Sequence, residues 1–286
     1  MDWLTEPFSF DFMQRALIGG ILAVLTTSVV GTWVILRGLA FMGDALAHGV
    51  LPGIAVALLL DIHPMIGAAV AAVVMVGAIS LVHRTTRLSE DTAIGLLFVG
   101  MLALGVILIS RSGSFAVDLV AILFGDVLGT SPGDLVVQGV VAVVALGGVV
   151  LFYRPLLVLS FNEQKAATLG LRPRLAHLVM MGLITMAVVA SFPAVGALLV
   201  FGLLIAPPAT AMLMARRVPT VMAIAAVLGM LEVTAGLLLS YHFDTAAGAT
   251  MSGLAVAVFF VVLGVVRLRV SRSRGRAQTD AGDTLG

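Results

Sequence analysis

The sequence predicts an all-α integral membrane protein with eight or nine transmembrane helices. Of its 286 residues, 60% are hydrophobic and only 11% are charged, far from the composition of a soluble domain. Long apolar stretches recur between short polar breaks, and each approaches the ~20 residues that a helix needs to cross hydrocarbon. Stretches such as 65–82 and 136–151 are apolar on every face, whereas barrel strands would alternate apolar and polar positions.

Nine candidate spans follow from these stretches and breaks. They cover residues 13–36, 44–60, 64–82, 92–110, 134–152, 175–191, 194–214, 219–239 and 248–266. The sixth and seventh are separated only by Ser191, Phe192 and Pro193, so they could be two spans joined by a tight turn or one broken, re-entrant element. Eight spans is therefore the alternative count.

The basic residues predict the orientation, because Lys and Arg accumulate on the cytoplasmic side. With the N-terminus outside, fourteen of the sixteen fall in cytoplasmic segments, and only Arg15 and Arg111 do not. We therefore predict a bacterial inner-membrane protein with its C-terminus in the cytoplasm. Residues 1–12 form an extracytoplasmic segment, 13–266 the transmembrane domain, and 267–286 a basic tail that has too few apolar residues to fold.

The longest cytoplasmic break, residues 153–174, contains a predicted short helix. Asn162 is suited to cap its N-terminus and Glu163 to occupy its first turn. Gly170 can end the helix in the left-handed conformation. A short amphipathic helix is therefore expected at the inner face of the membrane.

Asp44 and His48, in GDALAHGVLPG, form the main candidate site. An ionisable side chain inside hydrocarbon costs at least ~2.5 kcal/mol on insertion scales, which makes it a functional candidate by default. Four residues apart, the two share one face of a helix. Pro52 cannot donate to the His48 carbonyl and should kink the helix there. One imidazole and one carboxylate with open coordination positions suit Zn²⁺ or Mn²⁺ in transit.

A structural explanation of the same pair stays open. Asp44 and His48 could pair only with each other or cap a helix near the cytoplasmic interface, because Arg37 lies two turns upstream. The sequence alone does not separate these two explanations.

Two more polar pairs lie at predicted extracytoplasmic breaks. His242 and Asp244, in YHFDTAAGA, could be ligands at an entrance for the ion, and Asp61 and His63, in LDIHP, form a similar pair. An ordinary polar loop contains the same residue types. The loop explanation therefore stays open for both pairs.

Glu232, Pro207 and Pro208 are candidates for gating. Glu232 falls in the middle of a span, where a carboxyl must be protonated or partnered, and we expect a packing or gating partner rather than a metal ligand. The two prolines are predicted to break the seventh span, and such breaks often line a cavity in transporters. A structural kink is the alternative.

The motifs that the chain lacks argue against an enzyme. The sequence contains no GxxxxGK[ST] phosphate loop, so ATP has no binding motif here. It also contains no HExxH, no GxSxG and no cysteine, which leaves a hydrolase or a zinc protease without its catalytic groups. A transport subunit that depends on another protein for energy fits these absences.

Four motifs carry a family resemblance. In chain order they are GDALAHGVLPGIA, FNEQKAATLGL, GALLVFGLLIAPPATA and YHFDTAAGA. Across residues 12–266 the chain resembles the permease subunits of zinc and manganese ATP-binding-cassette importers, the ABC-3 family. The last motif departs from the family pattern, which usually has Pro after the Asp where this chain has Thr245.

The resemblance implies a type II importer fold, similar to that of vitamin B12 importers. It implies a homodimer between an extracytoplasmic metal-binding protein and two cytoplasmic ATPase subunits, with no nucleic-acid partner. Asp44 and His48 would be a transient site for transported Zn²⁺ first and Mn²⁺ next, with no permanently bound cofactor. The helix that docks on the ATPase would contain Asn162, Glu163, Ala166, Leu169 and Gly170.

Three rival functions stay open. A structural or regulatory membrane subunit would leave Asp44 and His48 dispensable. A metal transporter or channel without an ATPase would also need the spans and the buried pair, but it would have no need for a capped helix at 162–170. A permease of the same fold for a chelate or a vitamin would need a wide, aromatic or polar-lined path. A compact ligand pair does not serve that purpose.

Overall fold

The computed structural model describes residues 6–110, 129–161 and 172–283. Regular structure in these residues is entirely helical, which confirms the predicted fold class. A 3₁₀ turn, Pro7–Ser9, precedes the α-helices. These helices are α1 (Asp11–Leu36), α2 (Ala40–Gly49), α3 (Leu51–Leu59), α4 (Pro64–Thr85), α5 (Glu90–Ser110), α6 (Pro132–Leu151), α7 (Tyr153–Phe161), α8 (Pro173–Val195), α9 (Ala197–Met214), α10 (Val218–Phe243) and α11 (Ala247–Asp283).

Eight segments in the described part of the chain are long and apolar enough to cross a membrane. α2 and α3 form one of them together, Ala40–Leu59, and α1, α4, α5, α6, α8, α10 and α11 supply the others. α9 contributes only a shorter apolar segment, Val200–Met214. Length and composition thus confirm the predicted count of eight or nine spans. The count is eight without α9 and nine with it.

α8 and α9 meet at a single residue, Gly196. Its φ of 84° and ψ of 154° lie in a region that a Cβ atom would strongly disfavour. The Gly196 N–H donates to the Phe192 carbonyl at 2.9 Å, which closes α8. The break predicted at residues 191–193 therefore lies a few residues later, because the only glycine available for this conformation is Gly196.

Pro207 and Pro208 do not break α9, which is continuous through both. Pro208 has no N–H to donate to the carbonyl of Leu204, four residues earlier. Gly31 of α1 packs directly against that carbonyl, because a Cβ atom on Gly31 would overlap its oxygen. The predicted break is wrong: in hydrocarbon a helix keeps its other backbone hydrogen bonds, and a neighbouring helix covers the proline step.

α1 lies at the centre of the bundle, where it contacts α6, α8, α9 and α10. In α1 and in Ala40–Leu59, 67% of the most apolar 18-residue stretch is buried. The corresponding share is 17% in α5 and in α11. The segment that carries Asp44 and His48 is therefore as enclosed as the central helix. Such burial is what makes its two ionisable side chains significant.

Part of the long break at 153–174 is helical. α7 follows α6 after the single residue Phe152, whose N–H donates to the Gly148 carbonyl. Leu156 and Leu159 of α7 are buried, with exposures of 0% and 1%. The apolar residues of this break therefore form a packed helix of their own.

α11 continues to Asp283, through most of the tail that was expected to be disordered from residue 267. Residues 270–283 contain three arginines, two alanines and a glutamine but no proline. Arg, Ala and Gln are good helix formers. A helix can therefore extend beyond the apolar span without burying a hydrophobic face.

α3 and α4 approach most closely at Gly53 and Gly67. A Cβ atom on either glycine would overlap the carbonyl oxygen of the other. Small residues permit such close contact between membrane helices. Any larger side chain at either position would have to separate the two backbones.

Gly67→Ala is expected to destabilise the protein by about 1–3 kcal/mol, because the new methyl group overpacks this contact. The measurement is the thermal unfolding midpoint of the purified protein in detergent. Gly77→Ala on the same helix is the control, because a Cβ atom there meets no atom within 4 Å. Equal midpoints for the two variants would contradict the prediction.

Candidate functional site

Asp44 and His48 share one face of α2. The His48 Nε2 lies 3.5 Å from the Asp44 Oδ1, and the side chains are 16% and 28% exposed for His48 and Asp44. Met42 and Leu46 on the same helix are completely buried. The pair therefore occupies the open side of an otherwise enclosed helix, where both ligand atoms remain accessible.

The helix breaks just after the pair. α2 ends at Gly49, Val50 joins it to the next helix, and Pro52 is the second residue of α3. Proline suits the first turn of a helix, where an N–H has no intrahelical partner. The interruption lies at Val50, two residues beyond the predicted kink at His48, and Val50 itself keeps an α-helical φ of −84° and ψ of −14°.

Glycines let neighbouring helices close around the back of α2. A Cβ atom on Gly43 would contact Leu204 of α9, and one on Gly49 would overlap the sulfur of Met75 on α4. Close packing of this kind needs small residues at the interface. The backbone of α2 is thereby held firmly while its polar face stays open.

Phe98 of α5 flanks His48. The two ring centroids are 5.7 Å apart with a tilt of 58°, and Phe41 packs edge-on against the other side of Phe98, also at 5.7 Å. Phe98 therefore places an apolar ring beside the imidazole. Sequence analysis missed Phe98, although it is the only aromatic residue in α5.

Asp44 and His48 offer two side chains that could contact a divalent metal ion, and their role as a site stays a prediction. In the described residues, no three His, Cys, Asp or Glu side chains are grouped so that they could hold a metal ion. Closed structural sites use four protein ligands. A carboxylate and an imidazole alone can instead hold a divalent ion weakly, with water or other groups completing its coordination.

Three of the four predicted entrance residues, Asp61, His63 and Asp244, are exposed next to helix ends, whereas His242 is half-buried near the end of α10. Asp61 has a φ of 55°, and the His63 Nδ1 accepts a hydrogen bond from the Met65 N–H at 3.3 Å as the N-cap of α4. Asp244 has a φ of 50° and ends α10, and the ring of the preceding His242 packs on Tyr241. These local roles agree with the loop explanation, and the entrance role stays a prediction.

Glu232 is buried in α10 with 3% exposure. Neither carboxyl oxygen has a hydrogen-bond partner among the described residues. Gly229 and Val233, on either side of it in sequence, pack against Val24 and Gly20 of α1. Glu232 therefore lies on a tightly packed helix, and its gating role stays a prediction.

The predicted ATPase-docking residues Asn162, Glu163, Ala166, Leu169 and Gly170 lie outside the described residues. The described chain stops just before them, at the end of α7. α7 is fixed to α1 by a hydrogen bond from the Arg37 Nη1 to the Leu159 carbonyl at 2.8 Å. Sequence analysis noted Arg37 as a basic residue but had no signal for this contact.

Comparison with known proteins identifies relatives over nearly the whole chain. A model of the ABC 3 transport family matches residues 9–266. The manganese transport system membrane protein MntC of Halalkalibacterium halodurans is 39% identical over 254 residues, which are 89% of this chain and 87% of that protein.

Two solved structures have the same fold. PsaBC from Streptococcus pneumoniae, solved in complex with Fab, matches with a TM-score of 0.82 and 33% identity over 91% of this chain and 94% of that one. A protein described as a metal-chelate type ABC transporter, in an inward-facing conformation, matches with a TM-score of 0.70 and 16% identity over 90% and 86%. The second likeness supports the fold alone.

Proposed function

Because the chain belongs to the ABC 3 transport family, we propose that it is the membrane-spanning permease of an ATP-driven bacterial importer of Mn²⁺. The observation that carries this proposal is the Asp44–His48 pair on the open face of a buried helix. A mixed carboxylate and imidazole pair selects divalent transition metals. An incomplete site also lets the ion leave, as conduction requires.

Manganese takes precedence over zinc in this proposal. The ligand pair suits either ion, and zinc was the first expectation from the sequence. The relative that is 39% identical is named for manganese transport, which supports Mn²⁺ for this chain. The ion is cargo, so no resident cofactor is proposed.

The energy would come from partner proteins. We propose cytoplasmic ATPase subunits that dock on residues 162–170, an extracytoplasmic metal-binding protein that delivers the ion, and a second copy of this chain. The family match supports an ABC permease. ATP binding and hydrolysis would then move the cytoplasmic helix and switch the permease between outward and inward access.

The rival functions have less support. A carrier or channel without an ATPase does not fit the family to which the chain belongs. A chelate or vitamin would need a wide path, whereas Asp44 and His48 form a compact pair with Phe98 packed against His48. We therefore retain the bare ion as the proposed cargo.

Deleting the gene is expected to abolish high-affinity Mn²⁺ uptake, and the wild-type gene is expected to restore it. The measurement is the uptake of radiolabelled manganese, zinc and iron at low free metal, with each unlabelled ion as competitor. Selective loss of zinc or iron uptake would change the proposed ion. Unchanged uptake of all three would favour the chelate or vitamin function.

A further inference from the structure

Arg37 joins two parts of the chain that are far apart in sequence. It caps the end of α1, and its Nη1 donates to the Leu159 carbonyl at 2.8 Å. Leu159 lies on α7 and its side chain is buried, and a hydrogen bond from a charged donor is stronger than one between neutral groups. The Arg37 Nε is buried without a partner in the described residues. This hydrogen bond therefore ties the Arg37 guanidinium to α7.

A second contact joins α7 to the same face of α1. The Trp33 ring meets Tyr153 edge-on, with centroids 5.6 Å apart. Trp33 and Arg37 are four residues apart and therefore one turn apart on one face. Tyr153 and Leu159 are six residues apart on α7, so α7 contacts this face of α1 at two separate positions. A displacement of α7 would accordingly act on the end of α1.

The junction between α1 and α2 is stiff. The Leu39 N–H donates to the Val34 carbonyl at 2.9 Å, and the Gly38 N–H donates to the Ile35 carbonyl at 3.0 Å. These two bonds, with a φ of 70° at Gly38, form a Schellman motif. Val34 and Leu39 are both buried. α2 begins directly after Leu39. A movement of the chain at Arg37 would therefore change the orientation of α2.

We propose that Arg37 is a positioning residue that couples ATPase-driven movement of α7 to the Asp44–His48 pair. The inference rests on the proposed function. Leu159 is three residues before Asn162, and Arg37 is seven residues before Asp44. The hydrogen bond from Arg37 to Leu159 therefore connects the stretch that leads to Asn162 with the stretch that leads to Asp44.

The test compares manganese transport with ATP hydrolysis in proteoliposomes that contain the permease, its ATPase subunits and the binding protein. Arg37→Gln is expected to lower the number of Mn²⁺ ions transported per ATP by about fivefold or more, within the usual range of coupling between sites. ATP hydrolysis itself is expected to continue. Arg37→Lys keeps one charged donor and is expected to give an intermediate ratio.

A merely structural role would lower transport and hydrolysis in parallel and leave their ratio unchanged. That result, or a wild-type ratio in Arg37→Gln, would overturn the proposal. If Arg37→Gln does not assemble, Arg37→Met replaces it, because Met keeps an unbranched apolar side chain. Failure of both variants to co-purify with the ATPase would also overturn the proposal. Arg87→Gln, at an exposed arginine between α4 and α5, is the control. If the wild-type complex fails to transport, the proposed function fails instead.

Discussion

Replacing Asp44 by Asn is expected to abolish manganese uptake while the permease still folds. Asn has the shape of Asp, so the packing of α2 is preserved, but its neutral amide is a poor ligand for a divalent ion. Removing a residue that only supports a metal ligand typically lowers metal affinity or activity about 10- to 100-fold. Losing one of the two proposed ligands should therefore lower uptake by about 100-fold or more. His48→Gln is expected to give the same result. The measurement is the initial rate of radiolabelled Mn²⁺ uptake in cells.

Asp91→Asn is the matched control, because Asp91 is an exposed carboxyl at the start of α5, seven residues before Phe98. Uptake by this variant should equal that of the wild type. Permease abundance in the membrane is measured for every variant. Near-normal uptake by Asp44→Asn at normal abundance would show that Asp44 and His48 are a structural pair, the alternative left open by the sequence.

Gly31→Val is expected to remove most of the folded protein from the membrane. The Leu204 carbonyl oxygen and the Pro208 ring occupy the space that a side chain on Gly31 would need. The carbonyl belongs to a helix backbone and cannot rotate away as a flexible side chain can. Overpacking in a rigid core costs about 1–3 kcal/mol and occasionally more, and here two central helices would have to separate. The measurement is membrane abundance together with the unfolding midpoint in detergent.

Gly31→Ala should show the same effect to a smaller degree. Gly182→Ala is the control, because Gly182 lies on α8, which also packs against α1, and a Cβ atom there meets no atom within 4 Å. Its abundance should match that of the wild type. Normal abundance and an unchanged midpoint in Gly31→Val would show that α1 and α9 are not packed as described.

The helices were largely predictable because hydrocarbon imposes one requirement on the whole chain. Each span must be apolar and helical over a fixed thickness. The predicted spans 92–110 and 134–152 therefore lie within a few residues of α5 and α6. The Asp44–His48 pair was predictable for the same reason, because ionisable residues are rare and conspicuous in such a background.

Contacts between helices were not predictable from the pattern. Spans that are apolar on every face have no hydrophobic stripe to show which side meets a neighbour. The approach of Phe98 to His48 and of Arg37 to Leu159 therefore appears only in three dimensions. The continuity of α9 through Pro207 and Pro208 likewise depends on a glycine of another helix.

ATP-driven accumulation of Mn²⁺ by the purified complex tests the central claim most directly. Proteoliposomes containing the permease, its ATPase subunits and the metal-loaded binding protein are supplied with ATP, and the radiolabelled Mn²⁺ transported is counted over time. Accumulation by the wild type that requires ATP, with none by His48→Gln in an equally assembled complex, is the predicted result. Accumulation without ATP, or equal accumulation by His48→Gln, would contradict the account of an ATP-driven permease with its ion site at Asp44 and His48.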